Sequence, residues 1–287
     1  LRHPLKTKNL IVMNFGIDKA PGEIIWMPSP QNKIDTGNKY VTRPQLYRPF
    51  QTSSTLYEFE GKHMYVDTAG GGKNGDETVA AVTYFLHGYI FLAEIMKLAG
   101  GYSPDNYTAL SNLALKHGVN KIDVEKNFGY GAFASAWRPI LLDTYKKAGK
   151  TGCPVIEDVW EAGQKELRII DCLEPILARH RLIMHEDIID YDVDTTTKYP
   201  IDVRESYKFL HQFAKITRQK GALIHDDTID AVAGSCRFWV ERLAVNEKDR
   251  MEHKETNENV AWFAEWGANI GNYGKTLGLS QDRYKRH

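Results

Sequence analysis

Hydrophobic residues recur along this chain with two different periods, and the switches between them outline its elements. From Lys62 to Met96 the apolar positions form short β-branched and aromatic runs: Met64-Tyr65-Val66 rising into Asp67, then Thr78 to Tyr84, then Tyr89 to Met96. A glycine-rich stretch from Ala69 to Asp76 and the pair His87-Gly88 separate them, so this segment predicts an antiparallel meander of three strands. Beyond it the period lengthens. Ser103-Pro104-Asp105 is a helix start, with Ser103 as N-cap and Pro104 in the first turn, and Leu110, Leu113 and Leu115 carry the helix to His117-Gly118. A strand over Val119–Val124 ending at Glu125, a helix over Phe133–Lys147 and a strand over Pro154–Val159 follow. Ile169, Cys172, Leu173, Ile176 and Leu177 then lie at helical spacing within a helix from Gln164 to Arg179. Two further helices are expected over Arg204–Thr217 and Asp227–Leu243.

Three antiparallel strands followed by alternating helices and strands predict an α/β fold, a mixed sheet with helices on both faces. Residues 1–56, where Pro, Gly, Asn and Thr surround short apolar pieces such as Leu10-Ile11-Val12-Met13, read as an extended arm with one or two short strands. The division expected is an arm over 1–56, a main domain over 57–245, and a tail over 246–287 with a short amphipathic helix at Trp262, Phe263 and Trp266.

Composition narrows this little. The chain has 287 residues, enough for one large domain with appendages, and its 37 Lys+Arg balance 37 Asp+Glu, so attraction to a polyanion must come from local patches. Cys153, Cys172 and Cys236 are sparse and far apart, which excludes a disulfide scaffold and a cysteine zinc site and fits a reducing cytoplasm. No apolar run is long enough to span a membrane, so no membrane role is expected. The beginning, Leu1-Arg2-His3-Pro4, has no initiator Met and no signal-peptide layout, and reads as cut from a longer chain.

The chemistry lies in the carboxylates. Singly they are unremarkable: Asp67 ends a strand before a glycine turn, where Asp often binds backbone amides, and Glu125 ends another, where it would be solvated. The run His225-Asp226-Asp227-Thr228-Ile229-Asp230-Ala231 is different. Capping and the helix dipole explain one or two acidic residues at a helix start, not three with a histidine. Two strand ends and one helix start can converge on hard cations, which take oxygen ligands. Two such ions roughly 3.5–4 Å apart suit phosphodiester hydrolysis. Asp227 and Asp230 are three apart and can share a face of the first turn.

In this arrangement the chain resembles the nuclease part of large terminase subunits of tailed, podovirus-type bacteriophages. Val66-Asp67-Thr68-Ala69-Gly70-Gly71-Gly72-Lys73-Asn74-Gly75-Asp76-Glu77 is similar to that family's first nuclease motif, and Val124-Glu125-Lys126-Asn127-Phe128-Gly129-Tyr130-Gly131 to its second. Lys165-Glu166-Leu167-Arg168-Ile169 and Leu173-Glu174-Pro175 resemble its helix segment, and the His225–Ala231 run its third acidic motif. The resemblance implies a ribonuclease-H-like fold and a metal-dependent endonuclease that cuts concatemeric viral DNA during genome packaging. It implies Asp67, Glu125 and Asp227 as catalytic metal-binding residues, Asp226 and Asp230 as further candidate ligands, and Mg2+ or Mn2+ in a two-metal site. Nothing matches GxxxxGKS or GxxxxGKT, so the family's ATPase motor is expected outside this chain and no ATP hydrolysis within it. The implied partners are double-stranded DNA, that motor, the portal ring and the small terminase subunit. The implied location is the host cell cytoplasm, transiently on the procapsid and not in the mature virion.

Basic residues offer candidate DNA contacts: Lys165 and Arg168 on one helix, and Lys215, Arg218 and Lys220 just before His225. The basic residues that end helices, Lys146, Lys147 and Lys150 and then Arg179, His180 and Arg181, instead suit helix C-termini, where cations answer the dipole. Phosphate contacts of this kind would be salt-sensitive and indifferent to sequence. The rival readings are a portal-docking module with little catalysis and a resolvase-like nuclease of the same fold. A glycosidase using paired carboxylates has no need of a clustered helix-start motif.

Overall fold

A computed structural model describes residues 10–28, 46–69, 77–126, 131–240 and 242–243. The glycine-rich stretch after Ala69, Asn127–Tyr130 and the tail with Trp262, Phe263 and Trp266 lie outside the described residues. Among those described, no helix is long and apolar enough to cross a membrane.

The predicted meander is present as β6 (Gly61–Asp67), β7 (Thr78–Leu86) and β8 (Tyr89–Leu98), antiparallel throughout. The β7–β8 loop is His87-Gly88, both with positive φ (49° and 82°), which matches a two-residue turn to the twist of the strands. On one side of the meander β9 (Lys121–Glu125) and β10 (Val155–Val159) add in parallel. On the other side come β11 (Leu182–His185), β1 (Leu10–Met13) and β4 (Leu46–Thr52), also parallel, and β3 (Ile24–Pro28) closes the edge antiparallel to β4. The result is a nine-stranded mixed sheet, β10-β9-β6-β7-β8-β11-β1-β4-β3, beside a two-stranded sheet of β2 (Lys19–Pro21) and β5 (Leu56–Glu58). Every residue of β7 is buried, as a central strand covered on both faces requires.

One cover is apolar. Helix α1 (Pro104–His117) is punctuated as read: Ser103 accepts from the Asn106 amide at 3.1 Å, Pro104 opens it, and Gly118 closes it in the left-handed conformation at φ 62°. With α2 (Ala132–Lys147) it brings Leu110, Leu113, Phe133 and Trp137 onto Met64, Val66, Ala80, Val82 and Tyr84 of the sheet. The opposite face receives α3 (Lys165–Ala178) and α7, the helix over 227–240. Period-two alternation puts His63, Tyr65 and Asp67 on this second face. The fit is close: a Cβ on Gly234 would lie 2.6 Å from the Tyr65 ring, so α7 can cross β6 only with glycine there.

Two expectations need correction. The reading of 1–56 as an extended arm fails for its described parts, because β1 is enclosed between β11 and β4, with Leu10 and Ile11 fully buried. The short strand read there gave no sign of its place inside the sheet, because its partner Leu182–His185 lies far along the chain. The single helix expected over Arg204–Thr217 is instead α5 (Ile201–Arg204), a 3-10 turn (Glu205–Tyr207) and α6 (Phe209–Lys215). Lys208 is extended at the break, and Asp192 of α4 (Asp187–Asp194) accepts there from the amides of Phe209 and Leu210 at 2.7 and 3.1 Å. A long-range cap of that kind leaves no local signal.

Candidate metal centre

β6 and β9 run in parallel as neighbours and end together, which brings Asp67 and Glu125 to one edge of the sheet. Thr68 ties the two ends, its hydroxyl donating to the Glu125 carbonyl at 3.0 Å. The start of α7 arrives over the same edge. Asp67, Glu125 and Asp230 there present oxygen atoms that all lie within 4.8 Å of one another. Asp230 and Asp67 are buried, at 2% and 8% exposure, and Asp67 Oδ2 has no hydrogen-bond partner.

Burial pushes the Asp67 carboxyl well above the usual range; Lys165 opposes the rise, while Asp230 and Glu125 add to it. Asp230 is raised by the same burial, against the pull of Lys165 and Arg168. Such groups ionise together only if a cation offsets them. Lys165, the first residue of α3, supplies one such charge: its Nζ lies 2.9 Å from Asp226, 3.3 Å from Asp230, 3.7 Å from Asp67 and 3.9 Å from Asp227. Burial alone would lower the Lys165 ammonium, but Asp67, Asp230 and Asp226 hold it above its ordinary value.

The candidate residues therefore separate. Oxygens of Asp67, Glu125 and Asp230 converge within 4.8 Å, while Asp226 and Asp227 stand beside Lys165. Arg168 lies inside the site: its guanidinium is 3.3 Å from Asp230 and 3.4 Å from Glu161. Arg218 is exposed and paired with Asp171 at 2.8 Å and Glu174 at 3.1 Å, whereas Lys215 and Lys220 are exposed near the lead-in to α7.

Sequence reasoning missed the support beneath Asp230. Glu161, buried just past β10, accepts from the Tyr65 hydroxyl at 3.1 Å and is gripped by Arg237 of α7. Arg237 is seven residues after Asp230, two turns along one stripe, and that spacing is the signal that could have drawn it in. The donor set is oxygen only, without Cys or His, which fits a hard divalent cation of the Mg2+ or Mn2+ kind.

A mixed sheet of this order with acidic groups at adjoining strand ends and a helix start defines a ribonuclease-H-like domain with a carboxylate site. Residues 66–182 match the family described as Terminase Bacteriophage T7, Ribonuclease H-like domain. Over 233 residues, 80% of its length, the chain is 33% identical to the large terminase subunit of Enterobacteria phage T3. It belongs to the nuclease-domain family of phage large terminase subunits. The chain spans 38% of the length of that T3 relative. Among solved structures it is similar to the human cytomegalovirus terminase nuclease domain, in a manganese-soaked, inhibitor-bound form (TM-score 0.43, 14% identity, 62% of this chain and 82% of that one). It is also similar to the nuclease domain of the large terminase subunit of bacterial virus Sf6 (TM-score 0.38, 11% identity, 62% and 88%).

Proposed function

We propose that this chain is a divalent-metal-dependent DNA endonuclease that cuts concatemeric viral DNA during genome packaging. The observation that carries the reading is the convergence of Asp67, Glu125 and Asp230, with Asp67 and Asp230 buried and Asp67 Oδ2 making no hydrogen bond. Asp67, Glu125 and Asp230 would hold the cation, and Asp226 and Asp227 would serve a second one. One or two Mg2+ or Mn2+ ions supply Lewis acidity and charge neutralisation for phosphodiester hydrolysis.

The chain's own residues do the remaining work. Glu161 and Arg237 fix Arg168, and Arg168 in turn holds Asp230 in one orientation toward the strand ends. Lys165 neutralises the cluster while no divalent ion is bound, which keeps four carboxylates near one another. Lys215 and Lys220, exposed beside the lead-in to α7, contact backbone phosphates, with Arg218 able to join only by leaving Asp171 and Glu174. In the longer protein the domain works with an ATPase motor, the portal ring and the small subunit, in the host cytoplasm and on the procapsid.

The test is conversion of supercoiled plasmid with Mg2+, Mn2+ or EDTA, beside Asp67→Ala. Metal-dependent nicking and linearisation that the substitution abolishes is the expected result. Folded protein that cleaves under no metal would overturn the reading, and cleavage that survives Asp67→Ala would move the site elsewhere.

A further inference from the structure

Helix α7 begins with an arrangement that costs it its usual cap. Asp226 stands at the N-cap position, its carbonyl accepting the first helical hydrogen bond from the Asp230 amide at 2.9 Å. A capping Asp ordinarily turns its carboxylate back onto the amide of the second or third helical residue. Here the Asp226 carboxylate reaches Lys165 at 2.9 Å. The amide of Ile229, the third helical residue, donates to Oε1 of Gln212 at 3.1 Å. Gln212 belongs to α6 and is 1% exposed, and its Nε2 donates to the Ser206 carbonyl at 3.2 Å, so neither end of the amide is idle.

Gln212 is the last link of a closed loop. Asp67 pairs in register with Val79, and Val79 with Lys97, so Lys97 sits two strands from Asp67 at the same level of the sheet. The Lys97 side chain, 2% exposed, reaches Asp192 at 3.2 Å and the Tyr207 carbonyl at 2.8 Å. Asp192 caps the start of α6, as described above, and α6 carries Gln212 to the Ile229 amide. From there one residue leads to Asp230, whose carboxylate lies beside that of Asp67. The sheet rungs fix one side of this loop and buried polar contacts fix the other. Nearly all of the second side lies beyond residue 182, where the family match ends.

We propose that Gln212 is a positioning residue for the cation site, acting as a borrowed N-cap that frees Asp226 for the acidic cluster and sets the distance from Asp230 to Asp67. The inference rests on the metal-site reading above. Its test is calorimetric titration of Mn2+ into wild type, Gln212→Leu and Gln212→Glu, each with a thermal melt. Gln212→Leu is expected to weaken Mn2+ binding about tenfold, the range seen when supports behind metal ligands are removed. Gln212→Glu keeps the acceptor for Ile229 and is expected to return affinity to within about threefold of wild type by the same reasoning. Equal Mn2+ affinity in Gln212→Leu and wild type, whatever the melting temperature does, overturns the proposal. So does a Gln212→Glu that binds as weakly as Gln212→Leu. If Gln212→Leu does not fold, Asp192→Asn at the far end of α6 decides: weaker Mn2+ binding by the folded variant supports the loop, and unchanged binding overturns it. Wild type that takes up no Mn2+ would sink the metal-site reading itself and this inference with it, an outcome distinct from all the others.

Discussion

The two covers of this sheet are built from the same strands to opposite ends. Toward α1 and α2 the strands present Met64, Val66, Ala80 and Val82, and the helices answer with leucines, Phe133 and Trp137, the last fully buried. Toward α3 and α7 the neighbouring positions are His63, Tyr65 and Asp67, and the answer is Ser235, Glu161, Arg237, Lys165 and Asp230. The first cover gains stability from apolar surface removed from water. The second buries carboxylates that are raised above their ordinary pKa, which is unfavourable for folding. Charge held at such a cost, at strand ends, marks a site rather than a core.

The largest effect is expected on the apolar cover. Trp137→Ala empties a fully buried site and removes the indole N–H donated to Ser111 at 2.9 Å. It should cost about 3–5 kcal/mol in denaturant unfolding. Metal-dependent cleavage per folded molecule should stay near wild type. Cleavage lost in proportion to something other than unfolding would break the division between the covers.

Asp230→Asn should do the reverse. The amide keeps an acceptor for Arg168 and removes one of the converging negative charges, so the metal-free protein is expected to melt no lower than wild type. Cleavage should fall at least about 100-fold, the upper end of what is lost when groups behind a metal ligand are removed. A melting temperature that drops sharply with cleavage intact would mean Asp230 is a structural charge.

How far this contrast could be read in advance depended on where each signal lies. Helix α1 was legible because Ser103, Pro104 and Gly118 are all local, and the meander because alternation and His87-Gly88 are too. The acidic run from Asp226 to Asp230 stood out, since a helix cap does not need three carboxylates. Which of them lies nearest Asp67 did not, because that depends on how α7 rotates over β6, and Gly234 packed on Tyr65 helps to set that rotation. The Glu161–Arg237 pair spans 76 residues, and β1 meets β11 across most of the domain. Contacts at those separations belong to tertiary packing and have no local periodicity to report them.

The apolar cover carries a charge network of its own, and it sharpens the comparison by being structural. Tyr84 and His117 share a hydrogen bond beside the end of α1, His117 Nε2 lies 2.7 Å from Glu94, and Lys116 pairs with the same carboxylate oxygen. Burial would raise the Glu94 carboxyl, but His117 and Lys116 outweigh it and hold the group below its ordinary value. A carboxylate depressed in the folded state contributes stability that is complete above its unfolded pKa and disappears as pH falls through the folded one. Glu94→Gln should therefore lower stability at pH 7 by about 1 kcal/mol, given how accessible the pair with Lys116 is. The gap between variant and wild-type melts should narrow below about pH 4, the ordinary glutamate range. Cleavage at neutral pH should not change, because none of these four residues touches the acidic cluster. A gap that stays constant down to acid would show that Glu94 acts through packing rather than charge.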